Sequence, residues 1–355
     1  MTKVETHPEI RDAIRKLCGR FPGQYWRALD RERAYPKDFV NALTEAGWLS
    51  VLIPEQYGGA GLGIGAACAV LEEIHRSGAN GAACHAQMYT MGTLLRHRSD
   101  AQKEKWLPKI ASGEVRLQAF GVTEPTSGTD TTRIQTFAKK VGDKYVVNGS
   151  KIWISRAEHS DLMILLCRTS QRDEAGKASD GMSVLLVDMR EAKGKGLTIK
   201  PVRTMLNHAT TELFFDNMEV PAENLIGKEG AGFKYIIDGM NAERILIASE
   251  CIGDGKFFVD RASAYAKDRS VFGRPIGENQ GVQFPIARAH VQVTAASLMV
   301  DHAARLFEAG QPCGSEANMA KMTASEASWF AADTCVQTHG GFGFAEEYDI
   351  ERKFR

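Results

Sequence analysis

VRLQAFGVT, Val115–Thr123, marks the point at which the chain changes character. It opens a series of short runs rich in β-branched and aromatic residues: RIQTFAKKV (133–141), KYVVNGSKIWIS (144–155), DLMILLCRT (161–169), MSVLLVDM (182–189), LTIKPVR (197–203) and TELFFDNMEV (211–220). Such side chains suit a pleated, half-buried surface, and turn residues punctuate the runs. Asn148-Gly149 reads as a hairpin turn between two of them. So many short strands predict an antiparallel β-barrel or sandwich that ends near Pro221.

Working outward, the flanks are helical. From Pro8 to about Gly113 the runs PKDFVNALTEAGW (36–48) and AVLEEIHRSG (69–78) are amphipathic, and SDAQKEKWLPKIASG (99–113) opens on cap-type residues and closes on glycine. After Gly230 the helical period returns in three long segments, near 230–267, 279–309 and 316–338, the pattern of an antiparallel bundle. The expected class is α+β in three domains: an N-terminal α-helical domain (1–114), a middle β-domain (115–222) and a C-terminal helical bundle (223–355). The polar stretch Gln171–Asp180 reads as an exposed loop between strands.

Composition narrows the function classes. At 355 residues, 43% hydrophobic and 25% charged, the chain is an ordinary folded, water-soluble type. Lys+Arg and Asp+Glu both number 44, which advertises no nucleic-acid or anionic-membrane partner. Seven scattered cysteines without a C-x-x-C pair argue against a disulfide framework and a zinc site, and for a reducing compartment. The N-terminal stretch lacks the apolar core of a signal peptide, and no segment is apolar enough to span a bilayer. The expected location is cytoplasmic, or the mitochondrial matrix if the source is eukaryotic.

Two motif candidates are set aside on context. GLGIGA (61–66) fits the dinucleotide pattern G-x-G-x-x-A, but PEQYGG, turn chemistry rather than an apolar strand, precedes it. The nine histidines lack the spacing that would put two metal ligands on one face, so no metal is expected. AFGVTEPTSGTD (119–130) is a strand running into a turn rich in hydroxyls, and its backbone N–H groups suit either a polar cofactor edge or an ordinary surface loop. In YIIDGMNAERILIASE (235–250), Glu243 interrupts an apolar stripe made by Ile236, Met240, Leu246 and Ile247. Burial there would raise its pKa towards that of a general base; the alternative is a pair with a nearby Arg such as Arg244.

AFGVTEPTSGTD, then NGSKIWIS (148–155), DRSVFGRPIGENQ (268–280) and QTHGGFGFAEEYDIER (337–352), resemble in order, spacing and residue type the acyl-CoA dehydrogenase family over essentially the whole chain. That resemblance implies FAD as cofactor and the same helical, barrel and helical domains. It implies that Phe120–Thr129, Val122 included, faces the flavin ring. Thr123 and its backbone would bond the polar edge, and Thr129 would lie near the phosphate or thioester end. Phe120 stands where the family often has Tyr. Trp153 resembles the aromatic that covers one flavin face, the alternative being a core aromatic of the barrel, and Ser155 resembles the hydroxyl, commonly Thr, that bonds N5. Arg269 would reach across a subunit interface to the FAD pyrophosphate with Phe272 and Gln280 beside it, and Gln337 and Gly341 would serve the same dinucleotide.

NAERILIA (241–248) looks like the base-bearing helix of the isovaleryl-CoA and long-chain branches, which makes Glu243 the catalytic base and places Asn241 and Arg244 on the CoA side of the substrate. Other branches carry the base in a loop after the last shared motif, a loop and final helix that the sequence is expected to lack, since it stops at Lys353-Phe354-Arg355. The expected reaction is α,β-dehydrogenation of an acyl-CoA to the trans-2-enoyl-CoA in fatty acid or amino acid catabolism. Electrons would pass to an electron-transferring flavoprotein, and the assembly would be a homotetramer, a dimer of dimers. Two other readings stay open: a flavin oxidase or monooxygenase on the same fold, and a catalytically silent binding relative.

Overall fold

The computed structural model describes residues 6–172 and 176–355; residues 1–5, and 173–175 of the stretch read as an exposed loop, lie outside the described residues. In chain order the helices are α1 (Pro8–Cys18), α2 (Gly23–Glu32), α3 (Lys37–Glu45), α4 (Ile64–Arg76), α5 (Ala82–His97) and α6 (Asp100–Ser112). Strands β1 (Leu117–Gly121), β2 (Phe137–Val141), β3 (Lys144–Ser155), β4 (Leu162–Arg168) and β5 (Met182–Asp188) follow, then the short α7 (Met189–Ala192), β6 (Leu197–Pro201), β7 (Thr210–Pro221) and β8 (Leu225–Ile226). Helices α8 (Gly232–Asp268), α9 (Gln280–Glu308) and α10 (Gly314–His339) come next, with the ribbon β9 (Ser270–Val271) and β10 (Arg274–Pro275) before α9 and α11 (Ile350–Phe354) at the end. The chain divides into two compact units, one of residues 1–32, 62–85 and 241–355, the other of residues 33–61 and 86–240.

The second unit holds the sheet, and here the expected antiparallel barrel is corrected. The eight strands form one open mixed sheet in the order β6-β7-β3-β2-β4-β5-β8, with β1 on β4. β1 runs parallel to β4, and β2 meets β4 in parallel at Phe137 and Arg168. The cause is visible in β4: LMILLCR is apolar on both faces, the mark of a central strand covered on both sides. Met163, Leu165 and Cys167 enter one core with Tyr145, Val147 and Leu213. Leu162, Ile164 and Leu166 enter another, with Trp106 and Leu107 of α6.

The Asn148-Gly149 turn is also corrected. β3 continues through both residues, and the β2–β3 hairpin turns instead at Gly142-Asp143, where Val141 pairs with Lys144. Gly149 sits at a register shift against β7, with φ 141°. A Cβ there would stand 2.7 Å from the Thr136 Cα, so the glycine serves a bulge and a close backbone approach. Gly149→Val is expected to lower stability by about 2 to 4 kcal/mol, combining left-handed strain with overpacking, and a reduced urea midpoint at unchanged slope is the measurement.

In the first unit, the three segments read as a bundle are α8, α9 and α10, each starting and ending within two residues of the expected positions. Helices α9 and α10 pack together, and small residues are buried along both, among them Ala296 and Ala303 in α9 and Ala317, Ala320 and Ala324 in α10. In the other unit α6 opens with a capping box between Ser99 and Gln102 and stops at left-handed Gly113, as its sequence signals.

Candidate active site

In the sheet unit, β1 ends at Gly121 and the chain enters a tight turn in which Glu124 N–H donates to the Ser127 carbonyl and Ser127 N–H returns to Glu124, both at 3.1 Å. Ile152 N–H of β3 donates to the Thr123 carbonyl at 3.0 Å, so the turn is fastened to the strand that carries Trp153. Phe120 packs edge-on against Tyr89 at 5.2 Å. Between the pairs Lys151–Leu213 and Ile154–Thr211, two residues of β3 oppose one of β7. Trp153 lies in that bulge with φ 63° and its side chain 58% exposed, not in the core. A bulge of this kind re-aims a side chain, and the strained backbone presents an indole face outward.

The hydroxyls of Thr123 and Ser155, both half-buried, take no partner among the described residues. An open aromatic face beside hydroxyls with spare hydrogen-bonding capacity fits a flat ring with a polar edge. Val122 is half-buried beside Thr123, whereas Thr129 is exposed farther along the turn.

In the helical unit, Glu243 is half-buried on α8 and its carboxylate has no ion pair or hydrogen bond among the described residues. The pair with Arg244 is not formed; Arg244 instead donates to Asn241 at 3.4 Å. Burial raises the Glu243 pKa above the ordinary carboxylate value, while the charges of His85, Arg244 and Lys321 pull down and Glu250 adds to the rise. Glu250 itself meets His85 Nδ1 at 3.1 Å.

About 38 Å separates Glu243 from the far end of the same helix at 1.5 Å per residue. There Arg269 N–H closes on the Tyr265 carbonyl at 2.9 Å and the β9–β10 ribbon begins. Arg269 is exposed, its side chain bonded to no other described residue, and Phe272 at the ribbon turn is 100% exposed with φ 55°. Gln280 opens α9. Tyr265 stacks on His339 at 4.0 Å, which draws the end of α10, with exposed Gln337 and Gly341, to the same region. A side chain on Gly341 would meet open space. The structure therefore places all of the expected residues but Thr129 in three groups: Phe120, Val122, Thr123, Trp153 and Ser155; Asn241, Glu243 and Arg244; and Arg269, Phe272, Gln280, Gln337 and Gly341.

Family descriptions match along the chain: "Acyl-CoA dehydrogenase, N-terminal domain" over residues 4–114, "middle domain" over 119–218 and "C-terminal domain" over 230–355. The chain belongs to the acyl-CoA dehydrogenase family. It is similar to an acyl-CoA dehydrogenase of Bacillus subtilis, 37% identical over 332 residues that cover 92% of this chain and 86% of that protein. A glutaryl-CoA dehydrogenase of Desulfococcus multivorans is 35% identical over 356 residues, 98% of this chain and 88% of that one. The solved butyryl-CoA dehydrogenase of Megasphaera elsdenii superposes with a TM-score of 0.89 at 29% identity, covering all of this chain and 93% of that one. The acyl-CoA dehydrogenase described here is accordingly an FAD-dependent oxidoreductase.

Sequence reasoning passed over Lys151. Its side chain is 0% exposed and its Nζ meets the carboxylate of Glu124, itself 5% exposed, at 2.9 Å. The signal was present in β3, where Tyr145, Val147 and Lys151 are buried on one alternation and Ile154 is buried beyond the bulge. A lysine falling on the buried face of a strand demands a partner.

Proposed function

We propose that this acyl-CoA dehydrogenase removes a proton from Cα of a bound acyl-CoA with Glu243 as base, yielding the trans-2-enoyl-CoA. The observation that carries this reading is the Glu243 carboxylate, raised by burial and bonded to no other described residue. A general base must be within reach of its proton and have a pKa brought towards the working pH, and a carboxylate already locked to an arginine would have neither freedom nor basicity. Bound FAD supplies the hydride acceptor. Thr123 and its neighbouring backbone would hold the ring's polar edge, Trp153 would cover a face, the Ser155 hydroxyl would serve the ring as a donor, and Thr129 would serve the phosphate or thioester end. Asn241 and Arg244 hold the CoA side.

Arg269, Phe272, Gln280, Gln337 and Gly341 serve the dinucleotide of a second chain. A flavin beside Glu243 cannot extend the length of α8 to its own Arg269, so this reading entails at least a dimer, and we assign a dimer of dimers. The domains are residues 1–114, 115–222 and 223–355, the electron acceptor is an electron-transferring flavoprotein, and the setting is the cytoplasm or its matrix equivalent. Among the described residues no helix is long and apolar enough to cross a membrane.

The test is a panel of acyl-CoA thioesters mixed anaerobically with the yellow protein. Bleaching of the flavin by at least one thioester is the expected result, and electron transfer to the flavoprotein without oxygen uptake separates a dehydrogenase from an oxidase. Flavin that no acyl-CoA bleaches would overturn the assignment.

A further inference from the structure

Lys151 and Glu124 form a deeply buried ion pair in the sheet unit, and its placement bears on the flavin. Lys151 Nζ donates to the Glu124 carboxylate and to the Val122 carbonyl, each at 2.9 Å. Glu124 also accepts the N–H groups of Gln135 at 2.6 Å and Thr136 at 2.9 Å. Burial alone would push this carboxyl up, but the Lys151 charge and the donors around it hold it below the usual carboxylate range. The turn after β1, the approach to β2 and the β3 strand just before its bulge are thus tied at one point.

Stability is a poor account of such a pair. Desolvating two charges costs several kcal/mol per ion, and apolar residues of similar volume often serve as well or better. Position supplies a better account. The carbonyl bonded by Lys151 belongs to the Val122–Thr123 peptide, whose other end is the Thr123 N–H. Withdrawing electron density at the oxygen strengthens the donor at the nitrogen, because hydrogen bonds in series polarise one another in a low-dielectric site. Two residues beyond Lys151 stands Trp153, and between them Ile152 holds the Thr123 carbonyl.

We propose that Lys151, held by Glu124, is a positioning residue that acts on the flavin through the Val122–Thr123 peptide, fixing the spacing between the Thr123 edge and the Trp153 face and strengthening the Thr123 N–H as a donor. Neither charged group touches flavin or substrate. This rests on the flavin reading of Thr123 and Trp153 given above. A stronger donor at the polar edge favours the electron-rich reduced ring, so the pair raises the reduction potential of the bound FAD.

The test compares wild type, Lys151→Met and the double variant Glu124→Gln/Lys151→Met, the double variant leaving no unpaired buried charge. Purified holoproteins are titrated reductively without substrate. The expected result is a lower potential in both variants, at least a tenfold loss in the reduced-to-oxidised ratio at fixed poise, which is about 30 mV for a two-electron couple. The double variant keeps wild-type circular dichroism and melting temperature. An unchanged potential in the folded double variant overturns the proposal. Failure of that variant to fold overturns it equally, since the pair would then be an element of the fold. A separate arm checks the underlying reading: FAD added to apoprotein quenches the Trp153 component of fluorescence, identified by its absence in Trp153→Phe. FAD that binds but leaves the Trp153 component unquenched condemns the flavin placement itself, whereas quenching with an unshifted potential condemns the role of Lys151 alone.

Discussion

Glu243→Gln is expected to slow flavin reduction by an acyl-CoA by about two to four orders of magnitude, the usual consequence of losing a general base. Glutamine keeps the shape and hydrogen-bonding capacity of the side chain but cannot accept the Cα proton. FAD content and acyl-CoA affinity therefore persist, and anaerobic stopped-flow bleaching with a separate binding titration reads the two apart. Fast bleaching in the variant would move the base elsewhere. The pH dependence has a definite sign. Burial raises the Glu243 pKa, so the base is protonated and the rate low at acid pH, and the rate climbs as pH rises through that raised value. The stability effect runs the other way. A carboxyl whose folded pKa exceeds its unfolded one binds more protons when folded, so it withdraws stability as pH rises through the interval between the two values. Glu243→Gln removes that penalty, and its melting temperature at neutral pH should equal or exceed that of wild type, the difference fading below the ordinary carboxylate pKa. A variant markedly less stable at neutral pH would mean that the carboxylate is holding a structural partner.

The same residues show what a linear reading can and cannot reach. Helices α8, α9 and α10 were legible because the 3.6-residue period persists through each of them, and Glu243 stood out because it breaks an apolar stripe whose members Ile236 and Leu246 are buried in the structure. The sheet was legible strand by strand but not in its closure. LMILLCR specifies burial on both faces without saying which strand covers which edge, and the parallel β1–β4 pairing depends on residues some 45 positions apart, as between Leu117 and Leu162. Asn148-Gly149 carries a strong local turn signal, yet the pairing of β3 with β7 on both sides of it outweighs the local preference, and the glycine is spent on a bulge. Lys151 shows the same limit in the site. Its partner Glu124 lies 27 residues away: the alternation through Tyr145 and Val147 turns the lysine inward, but nothing in the linear sequence says which carboxylate meets it.

Arg269→Ala is expected to weaken FAD binding about tenfold to a hundredfold, the scale of hydrogen bonds to a charged group at 1.4 kcal/mol per decade. Arginine suits a pyrophosphate because its fork stays charged and donates in pairs. Its side chain is bonded to no other described residue, so the substitution disturbs no contact of the fold, and an equilibrium titration of apoprotein with FAD measures the lost contact directly. Unchanged affinity would remove Arg269 from the site. The distance along α8 adds a sharper expectation. In the reading proposed above, Glu243 and Arg269 of one chain serve different flavins, so neither Glu243→Gln nor Arg269→Ala would leave a complete site in its own homo-oligomer. Co-expressed, the two variants form mixed dimers in which one site takes Glu243 from the Arg269→Ala chain and Arg269 from the Glu243→Gln chain, and is whole. Turnover at limiting FAD should then recover to a substantial fraction of wild type, while the same two proteins assayed together without subunit exchange stay inactive. If Arg269 served its own chain's flavin, every site in the mixture would carry one lesion and co-expression would restore nothing.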